Sequence, residues 1–264
     1  MSTDTQKPRP HRTKYYTPLE SNPEVFTSLI SNLGLSSLAF TDVYSLTDLD
    51  LLAFITRPAL ALVLIFPISE QHDQWTAEAE KDRPVYEGKG EGEEVVWFKQ
   101  TIGNACGLYG ILHAVSNGGA RDFMKPNTPI SNLLATVTPL SPKSRAVALE
   151  ESKEVEAAHA KAGQQGDTAA PEQPDVDVDY HYIAFVPSHQ VGSDGTRKVF
   201  EMDGTKKGPV FTNVRLSDGE DALDAKVLGL VQAHIQREEE ASKKEGKDGN
   251  IGFSLMALVP SEQG

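Results

Sequence analysis

The stretch Gln100–Asn117, QTIGNACGLYGILHAVSN, decides how this chain is read. It opens as a Gly-containing loop and turns helical from Ala105 to about Ser116, with Leu108, Ile111, Leu112 and Val115 at helical spacing. Upstream, VVWFK (Val95–Lys99) predicts a strand that feeds the loop. Cys106 therefore falls at the start of a helix, where unpaired backbone N–H groups and the helix dipole favour a negative thiolate. Ala105 and Gly107 leave room beside it for a substrate backbone. Gln100, on the loop that becomes this helix, carries an N–H donor which, with the Cys106 backbone N–H, suits a developing oxyanion. The competing reading is a buried structural cysteine.

A thiolate nucleophile needs a base, and the base needs an orienting partner. Seven histidines compete. His11 and His159 lie in polar, low-complexity stretches, His234 on a polar-flanked helix and His189 in a loop. His113 shares the Cys106 helix but stands seven residues along, about 10 Å away at helical rise. His72, at the mouth of a hydrophobic strand, stays a candidate. His181 opens an apolar strand, YIAFV following, which would hold it on a rigid element. For the carboxylate, Glu201 and Asp203 share a strand face and both remain open.

Around these residues the chain reads as one domain in which strands alternate irregularly with helices, without internal repeats, hence α/β or α+β. ALALVLIFPI (Ala59–Ile68) predicts a central strand covered on both faces, and is too short to span a bilayer. Capped helices are expected at Asn22–Leu33 and from Ser141-Pro142, a short one at Asp48–Ile55, and a long amphipathic one at Asp218–Ala241. Further strands are expected at Leu38–Tyr44, Tyr180–Val186, Lys198–Met202 and Ile251–Val259. Residues 75–94 read as a surface connection and 1–14 as a flexible N-terminus. Residues 150–179 hold nine acidic residues and two lysines with almost no large apolar side chain, so they read as a mobile loop.

The whole chain of 264 residues carries 38 acidic against 25 basic residues, net -13, a balance that repels nucleic acid and anionic membranes and attracts basic partners. Its single cysteine excludes an internal disulfide, a CxxC redox pair and a thiolate zinc cluster. With no signal-peptide pattern, a reducing compartment, cytosol or nucleus, is expected.

Taken together, QTIGNACGLYGILHAVSN, PLESNPEVFTSLISNLGL (Pro18–Leu35), LVLIFPIS, VDYHYIAFV (Val178–Val186), FEMDGTKKGPV (Phe200–Val210) and NIGFSLMALVP resemble the ordered motifs of the ubiquitin C-terminal hydrolases. That resemblance implies a papain-like cysteine-protease fold, with a central, mainly antiparallel sheet flanked by helices and a knotted backbone. It implies Cys106 as nucleophile, His181 as general base and acid, Asp203 orienting His181, and Gln100 in the oxyanion hole. It matches residues 150–178 to a crossover loop roofing the site, and offers Pro18, Leu19 and Glu20 as ubiquitin contacts. The implied substrates are ubiquitin adducts cut at the terminal glycine, with ubiquitin-like proteins as further partners; retention of free ubiquitin is the alternative. No cofactor or metal is implied. The SHQVGSDGTR connection (Ser188–Arg197) is longer than the family's tight turn, which bears on access to the site. The end of the chain soon after its closing strand suggests a small, free-standing hydrolase, and a monomer is expected.

Overall fold

The structure is a computed structural model that describes residues 12, 14–67, 69–166, 180–244, 246 and 252–261. In chain order it runs α1 (Pro23–Asn32), β1 (Leu38–Asp42), α2 (Leu49–Ala53), β2 (Ala61–Pro67), α3 (Glu70–Glu80), α4 (Cys106–Val115), a 3-10 turn (Gly118–Phe123), α5 (Pro129–Val137), α6 (Pro142–Glu151), α7 (Lys153–Ala162), β3 (Tyr180–Pro187), β4 (Arg197–Met202), β5 (Val210–Leu216), α8 (Ala225–Lys244) and β6 (Ser254–Pro260). The strands form one six-stranded sheet in the order β1-β6-β2-β3-β4-β5. Each neighbouring pair is antiparallel.

The hydrophobic pattern explains this arrangement. In β2 every residue from Ala61 to Phe66 is buried, as a strand covered on both faces requires. Alternation then sorts its side chains between two cores. Val63 and Ile65 join α1 and α4, with Phe26, Leu29, Leu108 and Leu112. Leu62, Leu64 and Phe66 join α8, with Val227, Val231 and Ile235. The chain is thus a helix–sheet–helix sandwich, the α+β architecture expected from the sequence.

Helix starts follow their caps. Asn22 accepts from Glu24 N ahead of α1, Pro23 follows it, and Ser141-Pro142 opens α6 in the same way. The long helix begins at Ala225, later than Asp218. The carboxylate of Asp221 accepts from Ala59 N at 2.9 Å and from Arg57, which turns the chain before it can wind.

Four expectations need correction. Residues 150–166 are not a mobile loop. Ser152 caps α7, and Val155, Ala158, His159 and Ala162 bury one small-residue face, a helical period hidden by an acidic, Ala-rich composition. The rest of that stretch, 167–179, lies outside the described residues, as do 1–11 and 13 of the N-terminus. Arg12 and Lys14, however, are tied down: Arg12 Nη1 donates to Ile102 O and Lys14 Nζ to Glu150 O.

Residues 75–80 continue α3, which Ser69 caps by accepting from His72 N. Val95, Val96, Trp97 and Phe98 are buried, Lys99 is exposed, and the segment joins no sheet. Its backbone is satisfied by side chains instead: Asn117 Oδ1 accepts from Val96 N at 2.7 Å, and Asn117 Nδ2 donates to Val96 O at 3.0 Å. His113 Nε2 accepts from Phe98 N at 3.0 Å, and Arg145 donates to Trp97 O at 2.9 Å. The sequence reading also passed over α5 and β5. Thr128 caps α5 through a reciprocal capping box with Ser131.

Candidate active site

The start of α4, the start of β3 and the end of β4 meet at one end of the sheet, and the four residues marked by sequence lie on these elements or the loop before α4. Cys106 is the first residue of α4 and is half-buried. Burial pushes its thiol up to about 11, over the opposing pull of the Gly107 and Cys106 N–H groups and of Arg12, while the Asp203 charge adds to burial. The helix start is therefore insufficient to make a thiolate in this state. The sulfur instead donates to Tyr180 O at 3.7 Å, the residue before His181.

His181 and Asp203 form the buried core of the site. His181 Nε2 and Asp203 Oδ2 are 2.9 Å apart, which leaves Nδ1 as the second ring nitrogen for proton exchange. Burial disfavours the charged ring, but the Asp203 charge and hydrogen bond outweigh it and hold the His181 pKa above the usual histidine value. Burial likewise opposes ionisation of Asp203. The His181 charge and hydrogen bond, Lys206 and Thr205 overcome it and keep the carboxyl well below the usual range. The second oxygen, Oδ1, accepts from Thr205 N at 2.8 Å and Thr205 Oγ1 at 2.7 Å, so both lone-pair faces of Asp203 are fixed.

The two alternatives left open by spacing, Glu201 and His72, are each engaged with another partner. Glu201 pairs with Lys206, so Asp203 is the carboxylate that reaches His181. His72 is engaged with Glu238 at 2.8 Å, and its ring stands 5.8 Å from that of His181. His113 is a buried backbone acceptor whose pKa burial lowers to about 4. His159 is neither exposed nor in a loop; it packs on Tyr16 with ring centroids 4.6 Å apart.

Gln100 is joined to the Asp203 loop by backbone. Its N–H donates to Gly204 O at 2.8 Å, and Trp97 Nε1 donates to Asp203 O at 3.0 Å. The Gln100 amide turns onto its own loop, Nε2 donating to Ile102 O at 3.4 Å. The phenol oxygen of Tyr109, one turn into α4, accepts from Thr101 N and Ile102 N and so ties that loop to the helix carrying Cys106. On the other side the N-terminal segment stitches to Gly103: Gly103 N donates to Lys14 O and Tyr16 N to Gly103 O. Trp97, Tyr109, Thr205 and Gly204 were not marked by sequence. Tyr109, a phenol on the Cys106 helix, and Thr205, two residues after Asp203, are local to the marked residues; Trp97 and Gly204 act across 100 residues or more of chain.

Of the three proposed ubiquitin contacts, Leu19 is buried. It packs over Gly107, and its carbonyl accepts from Tyr182 Oη at 3.1 Å, so it belongs to the scaffold under α4. Pro18 and Glu20 are half-buried at the surface. The long Ser188–Arg197 connection lies at the far end of the β3–β4 hairpin, about 20 Å from His181 by strand rise. There Gln190 Nε2 donates to Glu91 O and Glu93 O. A cavity of about 400 Å³ between this turn and Ser217–Asp221 is equally remote from Cys106.

Comparison with known proteins gives a consistent result. The profile described as ubiquitin carboxyl-terminal hydrolase, family 1, matches residues 16–236. The chain is 32% identical to ubiquitin carboxyl-terminal hydrolase YUH1 of Saccharomyces cerevisiae, over 92% of this chain and 95% of the other. It is 37% identical to a ubiquitin carboxyl-terminal hydrolase of Aplysia californica, over 76% and 87%. Its fold resembles the UCH37 catalytic domain of Trichinella spiralis, crystallised bound to ubiquitin vinyl methyl ester, with a TM-score of 0.65 at 18% identity, covering 95% of this chain and 98% of that one. On the profile match over residues 16–236 and the identity to YUH1 over 92% of the chain, this chain belongs to family 1 of the ubiquitin carboxyl-terminal hydrolases.

Proposed function

We propose that the protein hydrolyses ester, thioester, amide or peptide bonds at the C-terminal glycine of ubiquitin, with Cys106 as nucleophile. The observation that carries the residue roles is the buried His181–Asp203 pair beside a helix-borne cysteine. In this reading substrate entry brings the thiol within reach of His181 Nδ1, which takes its proton. The thiolate attacks the glycine carbonyl; the Cys106 N–H and a reoriented Gln100 amide hold the oxyanion. His181 then protonates the leaving group and, after it departs, activates water to cleave the thioester. Asp203 keeps the ring oriented and stabilises the imidazolium.

The reading extends to a monomeric enzyme, and to a reducing compartment, cytosol or nucleus, the latter supported by the single cysteine. Ubiquitin-like proteins with a similar basic tail are a second substrate class. The stretch from residue 150 to 179, net -7 by sequence, suits steering of such a tail.

One observation favours a second reading, a protein that mainly retains free ubiquitin: the Cys106 sulfur is bonded to Tyr180 O, and burial raises its pKa. Release of a fluorophore from the ubiquitin C-terminus separates the two. Turnover by the wild type, abolished in Cys106→Ala, supports hydrolysis. Tight ubiquitin binding without turnover supports retention.

A further inference from the structure

Behind His181, on the α8 side of the sheet, three buried side chains converge that the hydrolytic mechanism does not use. His72 comes from α3, and His234 and Glu238 from α8, and each is less than a tenth exposed. One donor atom from each residue lies within 4.8 Å of the other two. His72 Nδ1 is 2.8 Å from Glu238 Oε1, and His234 Nε2 is 3.8 Å from the same oxygen. Nothing in the local sequence announces this group, because 166 positions separate His72 from Glu238.

We propose that His72, His234 and Glu238 bind one divalent transition-metal ion of the zinc class, joining α3 to α8. Two imidazoles and one carboxylate are a donor set that zinc accepts in tetrahedral geometry, with a fourth position for water. At metal–ligand distances of about 2.0–2.2 Å, tetrahedral donors lie about 3.3–3.5 Å apart. The observed 2.8 and 3.8 Å straddle that range and the third edge lies within 4.8 Å, so closing on an ion takes side-chain shifts of up to about an ångström. His234 and Glu238 stand at i and i+4, which puts both on one helix face. Outer partners are in place as well. Thr76 Oγ1 lies 3.4 Å from His72 Nε2, placed to accept a hydrogen bond from the N–H that remains on that nitrogen when Nδ1 binds metal. Ser69 Oγ donates to Glu238 Oε2 at 3.3 Å.

One group competes with the ion. Arg237 donates to His234 Nδ1 at 2.9 Å and lies 3.6 Å from Glu238 Oε1, so its guanidinium partly neutralises the carboxylate. A metal on His234 Nε2 leaves the proton on Nδ1, and Arg237 must then swing away. It has somewhere to go: its side chain is 45% exposed, and the guanidinium already lies 5.7 Å from the centre of the Trp75 ring. Removing the arginine should therefore tighten binding, the opposite of what a merely structural ion pair predicts.

The test uses the full chain carrying Cys106→Ala, which removes the thiol as an adventitious ligand, and titrates Co2+ as a spectroscopic stand-in for Zn2+. Expected are one equivalent bound with tetrahedral d–d absorption, and competition by Zn2+. His234→Ala in that background should weaken binding by more than about 100-fold, beyond the 10–100-fold typical of losing an outer partner. Arg237→Gln should tighten binding, and because it leaves all three ligands in place it reads the site even if His234→Ala misfolds. Absence of tetrahedral absorption in Cys106→Ala, or affinity unchanged by both substitutions, overturns the assignment and leaves a hydrogen-bonded cluster.

Discussion

A methyl group added at Gly204 would stand 2.9 Å from Gln100 Cβ, 3.1 Å from Gln100 N and 3.2 Å from Phe98 O. Two of these three neighbours are backbone, which cannot yield without moving the loop ahead of Cys106. Gly204→Ala should therefore lower kcat/KM at least about tenfold while costing about 1–3 kcal/mol of stability, the usual range for overpacking. Steady-state kinetics beside a urea melt checks this; unchanged kcat/KM would show that the two loops are not coupled through Gly204.

The His181–Asp203 pair makes a second residue-scale prediction, with a sign fixed by its two opposite shifts. Asp203 is held below its unfolded value, so its contribution to stability is present above about pH 4 and lost as pH falls toward the folded pKa. His181 is held above its unfolded value, so its contribution is full below about pH 6.5 and lost as pH rises through the folded pKa. The pH-dependent part of the stability difference between wild type and Asp203→Asn should thus be widest between about pH 4 and 6.5. Denaturant melts of both proteins from acid to mildly alkaline pH test it. A gap that does not vary across that range would mean that the pair is not charged in the folded protein.

At the scale of elements, the segment before the active-site loop depends on one arginine. Arg145, wholly buried on α6, pairs with Glu93 at 2.7 Å and donates to the carbonyls of Trp97, Val137, Thr138 and Leu140. Tyr86 Oη donates to Glu93 Oε1 at 2.9 Å. One ion pair thereby fixes Val95–Lys99, and with it Trp97, whose indole holds the Asp203 carbonyl. Arg145→Met should cost about 3–5 kcal/mol, because Glu93 is left as an unpaired buried charge. Thermal melting should fall on the order of 10 °C at this chain length. A much smaller loss would mean that Glu93 finds another partner. This also explains why VVWFK misled the sequence reading: its apolar run is as buried as a strand's, but its partners are side chains from α4, α6 and the α4 C-terminus, which no local pattern reveals.

Across the whole molecule, formal charge is -13 and -7 of it falls in residues 150–179. Part of that stretch is α7, packed on α1 and the N-terminal segment, with Lys14 bridging to Glu156 at 3.3 Å. If the acidic stretch steers a basic tail, raising ionic strength from about 0.05 to 0.5 M should lower kcat/KM several-fold with little change in kcat, since the Debye length then shrinks below about 5 Å. A flat profile would assign the charge to solubility.

What the sequence determined by itself was periodicity and order. β2 was legible because a short, continuous β-branched and Leu run is what a strand covered on both faces needs, and α1, α6 and α4 because caps and apolar spacing are local. Cys106 and Gln100 stood out for the same reason, lying on one loop and one helix. Tertiary structure decided what depends on approach across the chain. It chose Asp203 over Glu201 by giving Glu201 to Lys206, and it turned a polar, Ala-rich stretch into α7 by supplying a surface to bury it. It also raised the pKa of a thiol whose place at a helix start alone suggested a thiolate, because burial outweighs the backbone N–H groups at that position. Local order sets which groups are available; the energy of each depends on what the fold packs around it.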